Sequence, residues 1–282
     1  MNRNNMKIGL QQDMKGRVLY LISTAAEKYT QNRLVKELIK TGWGDRRTVK
    51  SVIRELLDNG ELSYTYNYGC SFLEKSIHKV NRISERVSLA PVDVHVGEAK
   101  EKICVKLGYG ASFGTGRHPT TRLSIKAIDF LLSRKSFCDS ASKGMALDIG
   151  TGSGVLAITA VKLGMCSAIG LDIEAISRKE AEENIEYNGL SAKIRITGEG
   201  VDEITGDFSL ILANLRLPTL IQIAPIIRSL SMPWGGLVLS GVKTEELSVL
   251  EDIYIRNGFL CLWQMVENGW ACQAFINMGL KC

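Results

Sequence analysis

Histidine is scarce in this chain, with 3 in 282 residues, and two of them, His78 and His95, have no second ligand at metal-binding spacing. A zinc-type centre is therefore not expected. The seven cysteines, at 70, 104, 138, 166, 261, 272 and 282, are odd in number and include no C-x-x-C pair. That excludes a zinc ribbon and a disulfide framework, and it suits reduced thiols in the cytoplasm. No apolar run approaches the roughly 18 residues that span a bilayer, so no membrane association is expected. The opening "MNRNNMKIGLQQDMKGR" lacks the apolar region of a signal peptide. Internal repeats and low-complexity segments are absent as well.

What is present is a composition of ordinary globular type, 45% hydrophobic and 23% charged, on a chain long enough for one large or two ordinary domains. The charge is uneven. Residues 1–80 hold 14 Lys/Arg against 8 Asp/Glu, whereas the remainder holds 21 against 22. Such a basic N-terminal part suits an acidic partner such as nucleic acid, or is simply a solvated basic surface.

Residues 1–75 read as three helices and a hairpin. A first helix over 15–29 puts Val18, Leu21, Ile22 and Ala25 on one face. A second follows Thr30, with Leu34, Val35, Leu38 and Ile39 inward, and a third runs from a capping Asp45 to Asn59-Gly60. The segment "ELSYTYNYGCSFLEKS" then alternates and turns near Asn67–Gly69. This pattern resembles a winged helix-turn-helix module, which implies a third helix, bearing Arg46, Arg47, Lys50 and Arg54, that contacts nucleic acid or docks a protein. Residues 76–110 read as a connector with strand-like pieces. Residues 111–282 alternate strand and helix, which predicts a doubly wound, mostly parallel α/β sheet covered on both faces.

Within that part, "ALDIGTGSGVLAI" is a strand, a glycine turn and a helix. Gly150, Gly152 and Gly154 allow a sharp turn and close approach to a ligand at a helix N-terminus. The glycines alone also suit a dinucleotide. The neighbouring acids discriminate: Asp148 would oppose a pyrophosphate but accept from an ammonium group, and Asp172, ending the next strand, can take both ribose hydroxyls. An acid on each side favours S-adenosylmethionine, which has an amino-acid tail and no phosphate.

A second glycine pair precedes this loop, in "ASFGTGRHPTT". Together with "LDIGTGSGVLAI", "GLDIEAIS", the "ANL" after the fourth strand, "GGLVLSGV" and "ENGWACQAFIN", it resembles the ribosomal-protein lysine methyltransferase family (PrmA) over roughly residues 105–277. The resemblance implies a seven-stranded Rossmann-like class I methyltransferase fold, and it assigns Thr121, Gly150, Asp172 and Asn214 to the cofactor. Thr121 would meet the methionine carboxylate, or act as a helix cap. Asn214 would donate to the cofactor or accept from an incoming amine, or serve as a turn residue. Phe113 would cover the cofactor, and His118 is either a base or a residue that shapes its loop.

The post-strand "NLRLP" carries no aromatic to stack on a planar base. This favours an aliphatic amine of a protein, a lysine or an N-terminus, as substrate. Arg216 departs from the family's usual Asn-Ile-Leu-Ala and can face an acidic substrate group. The N-terminal part departs further, because the family carries a small α+β recognition domain there. The expected target is accordingly a protein other than the ribosomal one. Two rival readings are a nucleic-acid methyltransferase guided by the basic module and a non-catalytic S-adenosylmethionine sensor that binds DNA.

Overall fold

The computed structural model describes residues 3–25, 27–67, 69–76, 80–94, 103–110, 112–116, 118–134, 137 and 144–279. His78 and His95 lie outside these residues, as do Ala111 and Arg117 of the first glycine segment. The chain divides into two compact units, Met1–Lys79 and Val80–Cys282.

The first unit contains α1 (Arg3–Thr24), α2 (Gln31–Lys40), α3 (Arg46–Asp58) and the antiparallel strands β1 (Leu62–Asn67) and β2 (Cys70–Lys75). Thr30 and Asp45 cap their helices by accepting backbone N–H groups, Asp45 from Arg47 at 2.8 Å and Thr48 at 2.9 Å. The apolar stripes of the three helices meet over Val18, Leu34, Leu38, Val49, Ile53 and Leu56, and the hairpin closes this core with Leu62 and Leu73. The first helix ends earlier than its apolar spacing suggests. Tyr29 instead bridges Leu73, whose N–H donates to the Tyr29 carbonyl at 2.8 Å, so the chain leaves the helix to reach the hairpin.

The second unit opens with β3 (Asn81–Arg82), β4 (Val87–Pro91) and β5 (Ile103–Leu107), which form their own three-stranded sheet. Val87, Leu89, Val105 and Leu107 of these strands, with Ile83 just after β3, join the unit's main core. There follow α4 (Pro119–Ser133), β6 (Met145–Ile149), α5 (Val155–Lys162), β7 (Ser167–Leu171), α6 (Ala175–Tyr187) and β8 (Ile194–Thr197). Then come β9 (Phe208–Asn214), α7 (Leu217–Leu230), β10 (Ser231–Lys243), α8 (Leu247–Arg256), β11 (Phe259–Glu267) and β12 (Trp270–Asn277).

Seven strands form one sheet in the order β11-β12-β10-β9-β6-β7-β8. All its neighbouring pairs are parallel except those made by β12. The last hairpin turns through Asn268 and Gly269, both at positive φ, as a two-residue turn of primed type requires. Side chains alternate across the sheet: Leu210 and Leu212 of β9 enter one core, while Ile211 and Ala213 enter the other. With helices on both faces, the strands are apolar on both sides. The strand order reverses between β6 and β9, and in open α/β sheets the carboxyl edge at that reversal is where ligands bind.

Candidate active site

The β6 strand is buried until Ile149, and its carboxyl end runs into the glycine turn. Gly150, Gly152 and Gly154 all have positive φ, which a side chain would strain. At Gly152 space forbids one too, because a Cβ would lie 2.5 Å from the Phe113 carbonyl oxygen, and at Gly150 a Cβ would crowd the end of the Leu215 side chain at 2.6 Å. Asp148 is buried, with Oδ2 accepting from the Thr151 hydroxyl at 2.7 Å and the Ala157 N–H at 3.1 Å. Burial pushes its pKa up to about 6, against the pull of those two hydrogen bonds. Asp172, at the end of β7, accepts from the Gly152 N–H at 2.9 Å and from the Glu174 N–H at 3.0 Å. The two acids thus flank the loop and help to shape it.

The first glycine segment packs directly on this turn. The Ser153 N–H donates to the Phe113 carbonyl at 2.9 Å, and a Cβ on Gly114 would collide with the Ser153 hydroxyl. Ser112 is held by α6, its N–H donating to Glu180 at 2.9 Å. The Phe113 ring is half-exposed and lies 5.1 Å from the His118 ring, which in turn meets Trp270 edge-on at 4.7 Å. Lys243 sits 3.7 Å over the Trp270 ring. His118 is the N-cap of α4, with Nδ1 facing the Thr120 hydroxyl at 2.8 Å. Desolvation, then the positive charges of Arg122 and Lys243, lower its pKa and favour the neutral ring.

Strand pairing carries the site across the sheet. Ile149 of β6 is paired with Ala213 of β9, and Asn214 is paired with Ser240 of β10. The Ser240 hydroxyl faces the Thr120 carbonyl at 3.4 Å, which brings the start of α4 to the same edge. Asp148, Asn214 and Thr121 therefore meet along one edge although up to 93 positions separate them. Each keeps a buried oxygen without a hydrogen-bond partner: Asp148 Oδ1, Asn214 Oδ1 and Thr121 Oγ1. The Ser153 hydroxyl is a fourth. Buried polar atoms are almost always paired, so a cluster of unpaired ones marks where a polar ligand belongs. The residues present therefore fit a ligand that carries an ammonium, a carboxylate and sugar hydroxyls.

Several supporting residues carry no motif. Asn184 of α6 accepts from the Gly108 N–H at 2.7 Å and donates to the Ser153 carbonyl at 2.8 Å, so it clamps the glycine turn to the end of β5. Arg122 donates to the Gly116 carbonyl at 3.3 Å while its guanidinium pairs with Glu267 of β11. The only sequence trace of the first is an Asn in a charged helix, and the second joins positions 145 apart. Arg216 is exposed at the start of α7. Among the described residues no group of three or more His, Cys, Asp or Glu could hold a metal ion, and no helix is long and apolar enough to cross a membrane.

The strand order, the glycine turn at its reversal point and the flanking acids define a Rossmann-like methyltransferase fold. Residues 73–277 match the family described as ribosomal protein L11 methyltransferase (PrmA), and the chain belongs to that family. A ribosomal protein L11 methyltransferase of Geobacter metallireducens is 34% identical over 191 residues, covering 68% of this chain and 60% of that protein. One of Geotalea daltonii is 33% identical over 205 residues, covering 70% and 64%. The crystal structure of the ribosomal protein L11 methylase from Lactobacillus delbrueckii subsp. bulgaricus superposes with a TM-score of 0.61 at 27% identity, covering 71% of this chain and 98% of that one. The chain thus spans less than two thirds of the length of these two curated relatives. Residues 1–72 lie outside the family match.

Proposed function

We propose that the protein uses S-adenosylmethionine to methylate an amine nitrogen of a protein, a lysine side chain or an N-terminus. The observation that carries this reading is the row of unpaired buried oxygens on Asp148, Asn214 and Thr121 at the sheet's carboxyl edge. When bound, the cofactor supplies a methyl group already activated on a sulfonium. The protein's own work is then alignment and exclusion of water, effects worth about 7–11 kcal/mol in ideal cases.

In this reading Asp148 accepts from the ammonium end, Thr121 donates to the carboxylate, and Asp172 accepts from the ribose hydroxyls beside the Gly152 turn. Gly150 and Gly154 give the backbone its close approach, and Phe113 covers the ligand. Asn214 turns its unpaired carbonyl oxygen to the incoming amine. That amine must lose a proton, which a low-dielectric edge assists by lowering its pKa. His118 has Nδ1 engaged at the α4 cap, and this favours a loop-shaping role over that of a base.

Leu215 and Leu217 flank Arg216 where an aromatic platform would favour a planar base, and this supports an aliphatic amine. The relatives are named for ribosomal protein L11, which makes that protein the first substrate to test. We read residues 1–75 as a winged-helix accessory module, 76–110 as a connector with strands and 111–282 as the catalytic domain, in a cytoplasmic protein. An accessory module of this kind would give the protein a docking surface of its own for the target.

The test is transfer of labelled methyl groups to purified ribosomal protein L11 and to a cell lysate. Label that protease removes and nuclease spares is expected. Label surviving protease would establish the nucleic-acid alternative, and no label in any fraction would leave a cofactor-binding sensor.

A further inference from the structure

We propose that the first unit binds B-form DNA through the outer face of α3. This goes beyond methyl transfer and is measurable without cofactor. The helix buries Val49, Val52, Ile53 and Leu56, and the opposite side presents Arg47, Lys50, Ser51 and Arg54 at spacings of three and four, with Arg46 beside them. All five are exposed, and none of the four cations forms an ion pair among the described residues. The nearby acids are otherwise engaged or marginal: Asp45 is occupied as the helix cap, Glu55 pairs with Lys15, and Asp58 stands at the far end of the face.

Three features favour a duplex over an acidic protein. The face has no apolar anchor, whereas protein interfaces centre on buried apolar or aromatic residues. An α-helix about 10–12 Å wide fits a B-form major groove of about 12 Å, with phosphates on both rims for the guanidinium forks. The β1–β2 hairpin of the same unit exposes Tyr66, at 77%, whose hydroxyl can donate to a phosphate. The deep, narrow major groove of A-form RNA admits no such helix.

The experiment is fluorescence anisotropy of the full chain with a labelled 20-base-pair random DNA duplex across a salt series. The variant is Arg47→Gln/Lys50→Gln/Arg54→Gln, which leaves the buried stripe intact. A control, Lys179→Gln/Lys193→Gln/Arg195→Gln, removes the same charge from exposed positions in the second unit. The first variant is expected to bind at least tenfold more weakly at 100 mM salt, with a salt slope shallower by about 2 to 3. The control should bind like the parent, and both variants should melt like it. The proposal is overturned if the parent fails to bind the duplex, if the control weakens binding equally, or if duplex RNA or polyglutamate competes better than unlabelled DNA.

Discussion

Asp148 has its folded-state pKa raised from an ordinary 3.8 to about 6, with burial as the main cause. A raised carboxyl favours the folded state below its unfolded pKa, and that contribution is lost as pH rises through about 6. Ligand binding runs the other way, because an ammonium selects the ionised carboxylate. Affinity for S-adenosylmethionine is therefore expected to rise about tenfold from pH 5 to pH 7 by calorimetry. Asp148→Asn should flatten the profile, and a flat parent profile would remove Asp148 from the ammonium site. His118 admits an equally direct test, because asparagine is a good helix cap but not a base. His118→Asn should keep stability and turnover within a few-fold, while His118→Ala should lose about 1 kcal/mol in urea unfolding. Turnover abolished in the asparagine variant would make His118 a base after all.

Between elements, the feature that matters is the interlock of the two glycine loops. The Phe113 carbonyl accepts from Ser153 and closes over Gly152, so the first glycine segment and the Gly150–Gly154 turn support each other. Gly152→Ala forces a methyl group toward that carbonyl at a φ of +54°. A loss of about 1–3 kcal/mol in stability is expected, together with weaker cofactor binding. If both stay at parent values, the loops do not depend on each other. The Arg122–Glu267 pair extends the interlock to the last hairpin, because the same guanidinium holds the Gly116 carbonyl.

For the whole molecule, the two units have separate cores: one is built from α1–α3 and the hairpin, and two others lie on the faces of the seven-stranded sheet. Separate cores predict separate unfolding. Calorimetry of the full chain should resolve two transitions, and S-adenosylmethionine at 100 times its Kd should stabilise only one, by about 2.7 kcal/mol. A single transition that shifts as a whole would show that the units unfold together.

Much of this is legible in the sequence because it is local. Helical spacing in α2 and α3, their caps, the alternation of apolar strands with helices, and the glycine turn between Asp148 and Val155 depend on neighbours within a few positions. The motifs at Phe113, Thr121 and Asn214 can likewise be read one at a time. What spacing alone leaves unspecified is which strands lie side by side. Only strand order brings Asn214 beside Asp148 and carries Thr121 to the same edge, and only packing leaves an unpaired oxygen on each. The Asn184 clamp and the Arg122–Glu267 tie belong to the same category, because their partners are far apart in the chain and leave no periodic trace. The sequence by itself determined the elements and the chemistry each motif can offer; the tertiary structure decided which groups meet, because long-range pairing is what buries them together.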